Sequence, residues 1–187
     1  MVQEEEPAAA TTPPDDVSST EGFRAAAEGC HQALLRVAAR MVGDAHAAED
    51  LVQETFARAF AARGRFRGEA RPFTWFCSIL LNLARNELRR AALRRFFSLG
   101  HLLEDAPDQE PAARGAGPST QAEAHDDGRA LRAAIARLPH LQRAALILVS
   151  LEGLPAADAA RALNTSEAAI WQALSRGRAA LRRNPRD

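Results

Sequence analysis

Apolar residues along this 187-residue chain recur every three or four positions, the spacing of a helix face, and do not alternate at the period of two that marks a half-buried strand. Phe23, Ala27, Cys30, Leu34, Val37 and Met41 form one such stripe and predict an amphipathic helix that Gly43-Asp44 ends. A second helix is expected from about Ala45 through Arg63, with Leu51, Val52, Phe56, Ala59 and Phe60 inward. The stretch RGRFRGEAR reads as a Gly- and Arg-rich loop. Pro72 then suits the first turn of a long helix, where a missing N–H does no harm. That helix is expected to reach about Arg95, packing through Phe73, Phe76, Cys77, Leu80, Leu83, Ala84 and Leu88.

The pattern resumes near residue 128 with a helix to about 137, a stop at Leu138-Pro139, and an apolar helix near 140–151. Glu152-Gly153-Leu154 reads as a turn, and Pro155 opens a short helix from Ala156 to Leu163. Asn164 tolerates the left-handed conformation of a tight turn, and Thr165 or Ser166 can cap a last helix, about 166–183. Ile170, Leu174 and Leu181 share one side of that helix, with Arg176, Arg178, Arg182 and Arg183 toward its end. The expected fold is all-α: two small helical domains joined by a flexible acidic linker, the C-terminal one a helix-turn-helix. Residues 1–22 read as a disordered acidic tail, 23–97 as the first domain, 98–127 as the linker and 128–187 as the second domain.

Charge changes this picture. The formal net charge is zero, 24 Lys+Arg against 24 Asp+Glu, which taken as a sum argues against a nucleic-acid partner. Resolved along the chain it argues the reverse. Residues 1–22 hold six acids and no base, 23–97 hold 13 Arg against seven acids, 98–127 one Arg against seven acids, and 128–187 ten Arg against four acids. Every base is Arg, which suits bidentate phosphate and base contacts, although a GC-rich coding sequence would favour Arg and Ala too. No apolar run approaches the roughly 20 residues of a membrane helix. The acidic N-terminus lacks the features of a secretory signal, so a cytoplasmic location is expected.

Three groups of residues could carry function. The last helix would present Ser166, Glu167, Ala168, Trp171, Gln172 and Ser175 to a major groove, with Arg176 and Arg178 on phosphates. A helical hairpin whose last arginines only complement the helix dipole would look the same. The second group is Arg65, Phe66, Arg67, Arg71, Trp75, Asn82, Arg85, Arg89 and Arg90, an aromatic and basic track suited to single-stranded nucleic acid. Most of its aromatics could equally be core, and Phe66 is the best candidate for an exposed ring. The third is the polar side of the second helix, Asp50, Gln53 and Glu54, either a solvated face or a docking face. Catalytic arrangements are absent: the five His are scattered, and no HExxH, GxSxG or phosphate-cradling loop occurs, so neither an enzyme nor a cofactor or metal is expected. Cys30-His31 could bind metal or sense redox, but Cys30 fits the buried stripe.

The residues together resemble the extracytoplasmic-function (ECF) sigma factors of bacterial RNA polymerase. The resemblance rests on DAHAAEDLVQETF at 44–56, then Phe66-Arg-Gly-Glu-Ala70 leading to Trp75, Ile79, Asn82 and Arg89-Arg90. In the second block it rests on Leu138-Pro139, Glu152-Gly153-Leu154 and Ser166 through Arg176 and Arg178 to Leu181. It implies that Asp50, Leu51, Val52, Gln53, Glu54, Thr55 and Phe56 dock on the clamp helices of the polymerase β′ subunit. It implies that the Arg65–Arg90 segment opens and holds the minus-ten promoter element, with Phe66–Ala70 capturing a flipped base. The residues from Ser166 onward would read the minus-thirty-five element, the second block would rest on the β flap, and an anti-sigma factor is an expected partner. Ser78, Leu81, Cys77, Ala169, Trp171 and Ala173 depart from the family's usual residues. The competing reading is a stand-alone helix-turn-helix transcriptional regulator.

Overall fold

In the computed structural model, which describes residues 17–101 and 130–183, helix boundaries fall where side chains can satisfy the free backbone groups at helix ends. Helix α1 runs Thr20–Val42: the Ser19 hydroxyl accepts from the Gly22 N–H at 3.0 Å, and Gly43, at φ +79°, donates its N–H to the Ala39 carbonyl at 2.8 Å. The Asp44 carboxylate then accepts from the Ala47 N–H at 2.7 Å and starts α2, Ala45–Ala62. A single 3-10 turn, Arg63–Arg65, leads through the loop to α3, Pro72–His101. Structure begins earlier than the pattern suggested, because Val17 is 1% exposed and Ser19 caps within the stretch read as tail. It also extends later: no proline follows Pro72 until Pro107, and α3 runs into the first residues assigned to the linker. The rest of the tail and linker lie outside the described residues.

Helices α1, α2 and α3 enclose Leu34, Val37, Met41, Val52, Phe76 and Leu80. One inward assignment fails. Phe60 is 40% exposed, edge-on to Phe23 at 5.3 Å and capped by the Arg63 guanidinium 4.0 Å from its centroid. Thr55 is buried instead, its hydroxyl donating to the Leu51 carbonyl at 2.7 Å.

The second block opens with helix α4 over 130–136 and continues with α5, His140–Ala145. The expected single helix then widens into a π-type segment, Leu146–Leu151, closed by Glu152 N–H to the Ile147 carbonyl at 3.0 Å. Leu146, Ile147 and Leu148 are buried in succession, which one α-helical stripe would not allow. Gly153 turns the chain at φ +68° into α6, Ala156–Ala162. Asn164 takes the left-handed conformation at φ +48°, the Ser166 hydroxyl accepts from the Ala169 N–H at 3.2 Å, and α7 runs Glu167–Arg183. Among the described residues there is no strand, and no helix is long and apolar enough to cross a membrane.

The two blocks are packed together. Helix α6 lies on α3, and the π-type segment on α1. Buried Arg143 donates to the Met41 carbonyl at 2.8 Å across the interface, and to the carbonyls of Ala136 and Leu138 in its own block. The Glu152 carboxylate, with its side chain 5% exposed, pairs with Arg36 at 2.9 Å and with Arg40. Asp158 joins Arg71 at 2.9 Å to Arg161 at 3.2 Å.

Candidate nucleic-acid interface

The loop after α2 is tied to the core through aromatic rings. Phe66 lies 5.0 Å from Trp75, Trp75 lies 5.3 Å from Phe76, and Phe76 meets Phe23 and Phe56 edge-on at 5.7 and 5.4 Å. This chain of rings holds open a cavity of about 210 Å³ lined by Arg65, Phe66, Arg67, Glu69, Ala70, Thr74, Trp75 and Ser78. Arg161 of α6 closes one side of it. Phe66 is therefore half-buried and not the free ring expected, since its backbone folds back on Arg63 and its ring packs at a tilt against Trp75. An apolar wall beside three guanidinium groups is suited to one stacked, unpaired base with its phosphate.

Only some of the expected single-strand residues share that cavity. Arg65, Phe66, Arg67 and Trp75 line it. Arg71 stands beside it, paired with Asp158. Asn82, Arg85 and Arg89 are exposed further along α3, with Arg85 donating to the Asn82 side chain at 3.3 Å. Arg90 is separated from them. It lines a different groove of about 420 Å³ between α2 and α3, with Asp50, Leu51, Glu54, Arg58, Leu83, Asn86 and Glu87 among the other lining residues. Helical register explains this, because Leu83, Asn86, Glu87 and Arg90 are three or four apart.

That groove carries Asp50, Leu51 and Glu54 of the DLVQETF stretch. Asp50, Gln53 and Glu54 are exposed, with Glu54 accepting from Arg58 at 2.6 Å. Leu51, Val52 and Thr55 are buried, with Leu51 forming part of the groove wall. Phe56 is half-buried on the α1 side, stacked 6.1 Å from His31. On α7 the division is clean. Ile170, Ala173, Leu174 and Gly177 are buried, whereas Ser166, Glu167, Ala168, Trp171, Gln172, Ser175, Arg176 and Arg178 are all exposed.

Sequence reasoning missed Thr74, Ser78 and Arg161 at the cavity and Arg58 and Glu87 at the groove. The α2 and α3 residues were within reach of helical register, whereas Arg161 comes from the other block and had no local signal. Neither thiol is a poised nucleophile. Burial pushes Cys30 up to about 11, and Cys77 is raised by burial, then by the neighbouring Cys30 and Glu152. No group of three or more His, Cys, Asp or Glu among the described residues could hold a metal ion.

Residues 27–94, which carry the groove and all of the cavity lining except Arg161, match the Sigma-70 region 2 family model, and residues 128–181 match Sigma-70 region 4. The chain is 31% identical over 154 residues to the ECF RNA polymerase sigma factor SigM of Mycobacterium tuberculosis, covering 82% of this chain and 71% of that protein. The chain belongs to the ECF sigma factors. It is 30% identical over 159 residues to the RNA polymerase sigma-H factor of Pseudomonas aeruginosa, covering 79% of this chain and 78% of that one. In fold it is similar to the sigma factor RpoE of Bartonella quintana, solved with the anti-sigma factor NepR. The TM-score is 0.66 at 24% identity, over 88% of this chain and 96% of that one. It is also similar to CnrH, solved with the cytosolic domain of CnrY, at a TM-score of 0.63 and 22% identity over 93% and 94% of the two chains. As an ECF sigma factor the chain binds RNA polymerase and directs initiation at specific promoters. The region 2 match disfavours a stand-alone helix-turn-helix regulator.

Proposed function

We propose that the groove around Asp50, Gln53 and Glu54 docks on the β′ clamp helices, and that the cavity beneath Phe66 and Trp75 takes a base flipped from the non-template strand of the minus-ten element. The observation that carries this reading is the cavity itself: ring-walled, flanked by Arg65, Arg67 and Arg161, and braced against the core through Phe76. Asn82, Arg85 and Arg89 continue the basic track along α3, while α7 enters the major groove of the minus-thirty-five element and its block rests on the β flap. Affinity for unpaired bases shifts the duplex toward the melted state, so this chain contributes binding energy and no catalysis. The protein acts in the cytoplasm with the polymerase. An anti-sigma factor holds it inactive, a reading supported by the complex of its structural neighbour RpoE with the anti-sigma factor NepR.

The test is co-purification with core polymerase. Asp50→Ala with Gln53→Ala removes exposed side chains only, so the helical circular-dichroism signal and melting midpoint are expected to stay while core binding falls at least tenfold, roughly 1.4 kcal/mol. Undiminished binding would overturn the docking assignment.

A further inference from the structure

The exposed face of α7 carries one acid, Glu167, and its position is constrained. It sits in the first helical turn, immediately after the Ser166 cap, and its Oε1 accepts a hydrogen bond from Trp171 Nε1 at 3.4 Å. Trp171 is 54% exposed, so the indole leans along the helix surface and not into the core. An ionised carboxylate has about four acceptor positions, so this bond leaves capacity for a partner. From the geometry we infer that Glu167, oriented by Trp171, is a specificity-determining residue that selects cytosine in the upstream promoter element. This rests on the reading that α7 enters the major groove.

The selection follows from what a carboxylate can do there. An ionised Glu only accepts hydrogen bonds, and phosphates repel it, so a stable place for it is opposite a base-edge donor. The major groove offers two donors, cytosine N4 and adenine N6. Adenine sets an N7 acceptor beside its amine, which disfavours a second acceptor, whereas cytosine sets a C–H there. Trp171 contributes in two ways. Its N–H restricts the Glu167 rotamers, and its ring occupies the groove at the next turn, where it excludes water around the carboxylate. Arg176 and Arg178, further along α7, offset the cost of bringing an acid to the duplex.

The experiment uses full-length chain with core polymerase on a template library randomised across both promoter elements, with transcribed templates sequenced. The wild-type chain is expected to select a cytosine, on one strand, at one upstream position. Glu167→Gln should reduce that preference by about tenfold, the effect of one base-edge contact, and favour adenine there, since an amide matches the N6/N7 pair. Trp171→Phe keeps a ring but loses the N–H, and should weaken the cytosine preference at the same position by a smaller factor. Preferences elsewhere, including the minus-ten element, should not change. An unaltered cytosine preference in both variants, or an even loss across all upstream positions, overturns the assignment while leaving α7 as the upstream reader. Absence of any upstream preference in the wild-type chain overturns that reading itself.

Discussion

Residue by residue, the interior polar groups carry the sharpest consequences. His140 opens α5 half-buried against α3, with the Leu81 carbonyl as its backbone partner and Nε2 buried without one. Burial lowers its pKa, the Leu81 hydrogen bond works in the opposite direction, and Arg85 and Arg143 lower it further. A His whose folded pKa lies below its unfolded value binds its proton more readily when unfolded. Stability is therefore complete at neutral pH and falls as pH drops through about 6.5 toward the folded value. A melting midpoint that declines below about pH 6.5 in the wild-type chain, and declines less in His140→Gln, is the expected result. Equal slopes in the two proteins would show that other groups set the acid limit. The sequence showed a scattered histidine. Its burial depends on α3, which the sequence could not place beside it.

For single elements, local chemistry was legible at most boundaries that depend on one side chain, the Ser19 cap of α1 being the exception. Gly43, Asp44, Pro72, Asn164 and Ser166 stand at helix ends because each supplies a dihedral or an acceptor that the backbone lacks there. The π-type segment was not legible, because an apolar run carries no mark of whether its ladder skips four residues or five. The loop before α3 lies between these cases. Its Arg and Gly content announced a loop, but the tilted contact of Phe66 with Trp75 needed the two segments in register. If that ring pair stabilises an unpaired base, Phe66→Ala should reduce initiation on duplex promoters by about tenfold, the loss expected for one stacked base. Activity on a pre-melted bubble template should be restored in full. A deficit that persists on the bubble would place Phe66 outside strand opening.

Across the whole molecule, the two blocks hold each other in an arrangement that engages the candidate nucleic-acid surface. Asp158 of α6 takes the charge of Arg71, and Arg161 borders the cavity that a base would enter. Releasing this contact should free Arg71. Asp158→Asn is accordingly expected to tighten binding of the isolated chain to single-stranded oligonucleotides by about twofold to fivefold, the range of one partly exposed ion pair. Fluorescence anisotropy at low salt would read this, and an unchanged affinity would mean that the contact does not compete with the strand. The zero net charge of the chain has a local counterpart here, because acids of one block neutralise arginines of the other. By itself the sequence determined most of the helices, the turns and caps at Gly43, Asn164 and Ser166, the alternation of acidic and basic blocks and the family, since each depends on residues a few positions apart or on a contiguous motif. Only the tertiary structure decided that Arg90 belongs with Asp50, that Phe66 is covered, and that Arg161 shares a cavity with Arg65. Those outcomes depend on which helix faces meet, and in the case of Arg65 and Arg161 on segments nearly a hundred residues apart, through packing that no local pattern encodes.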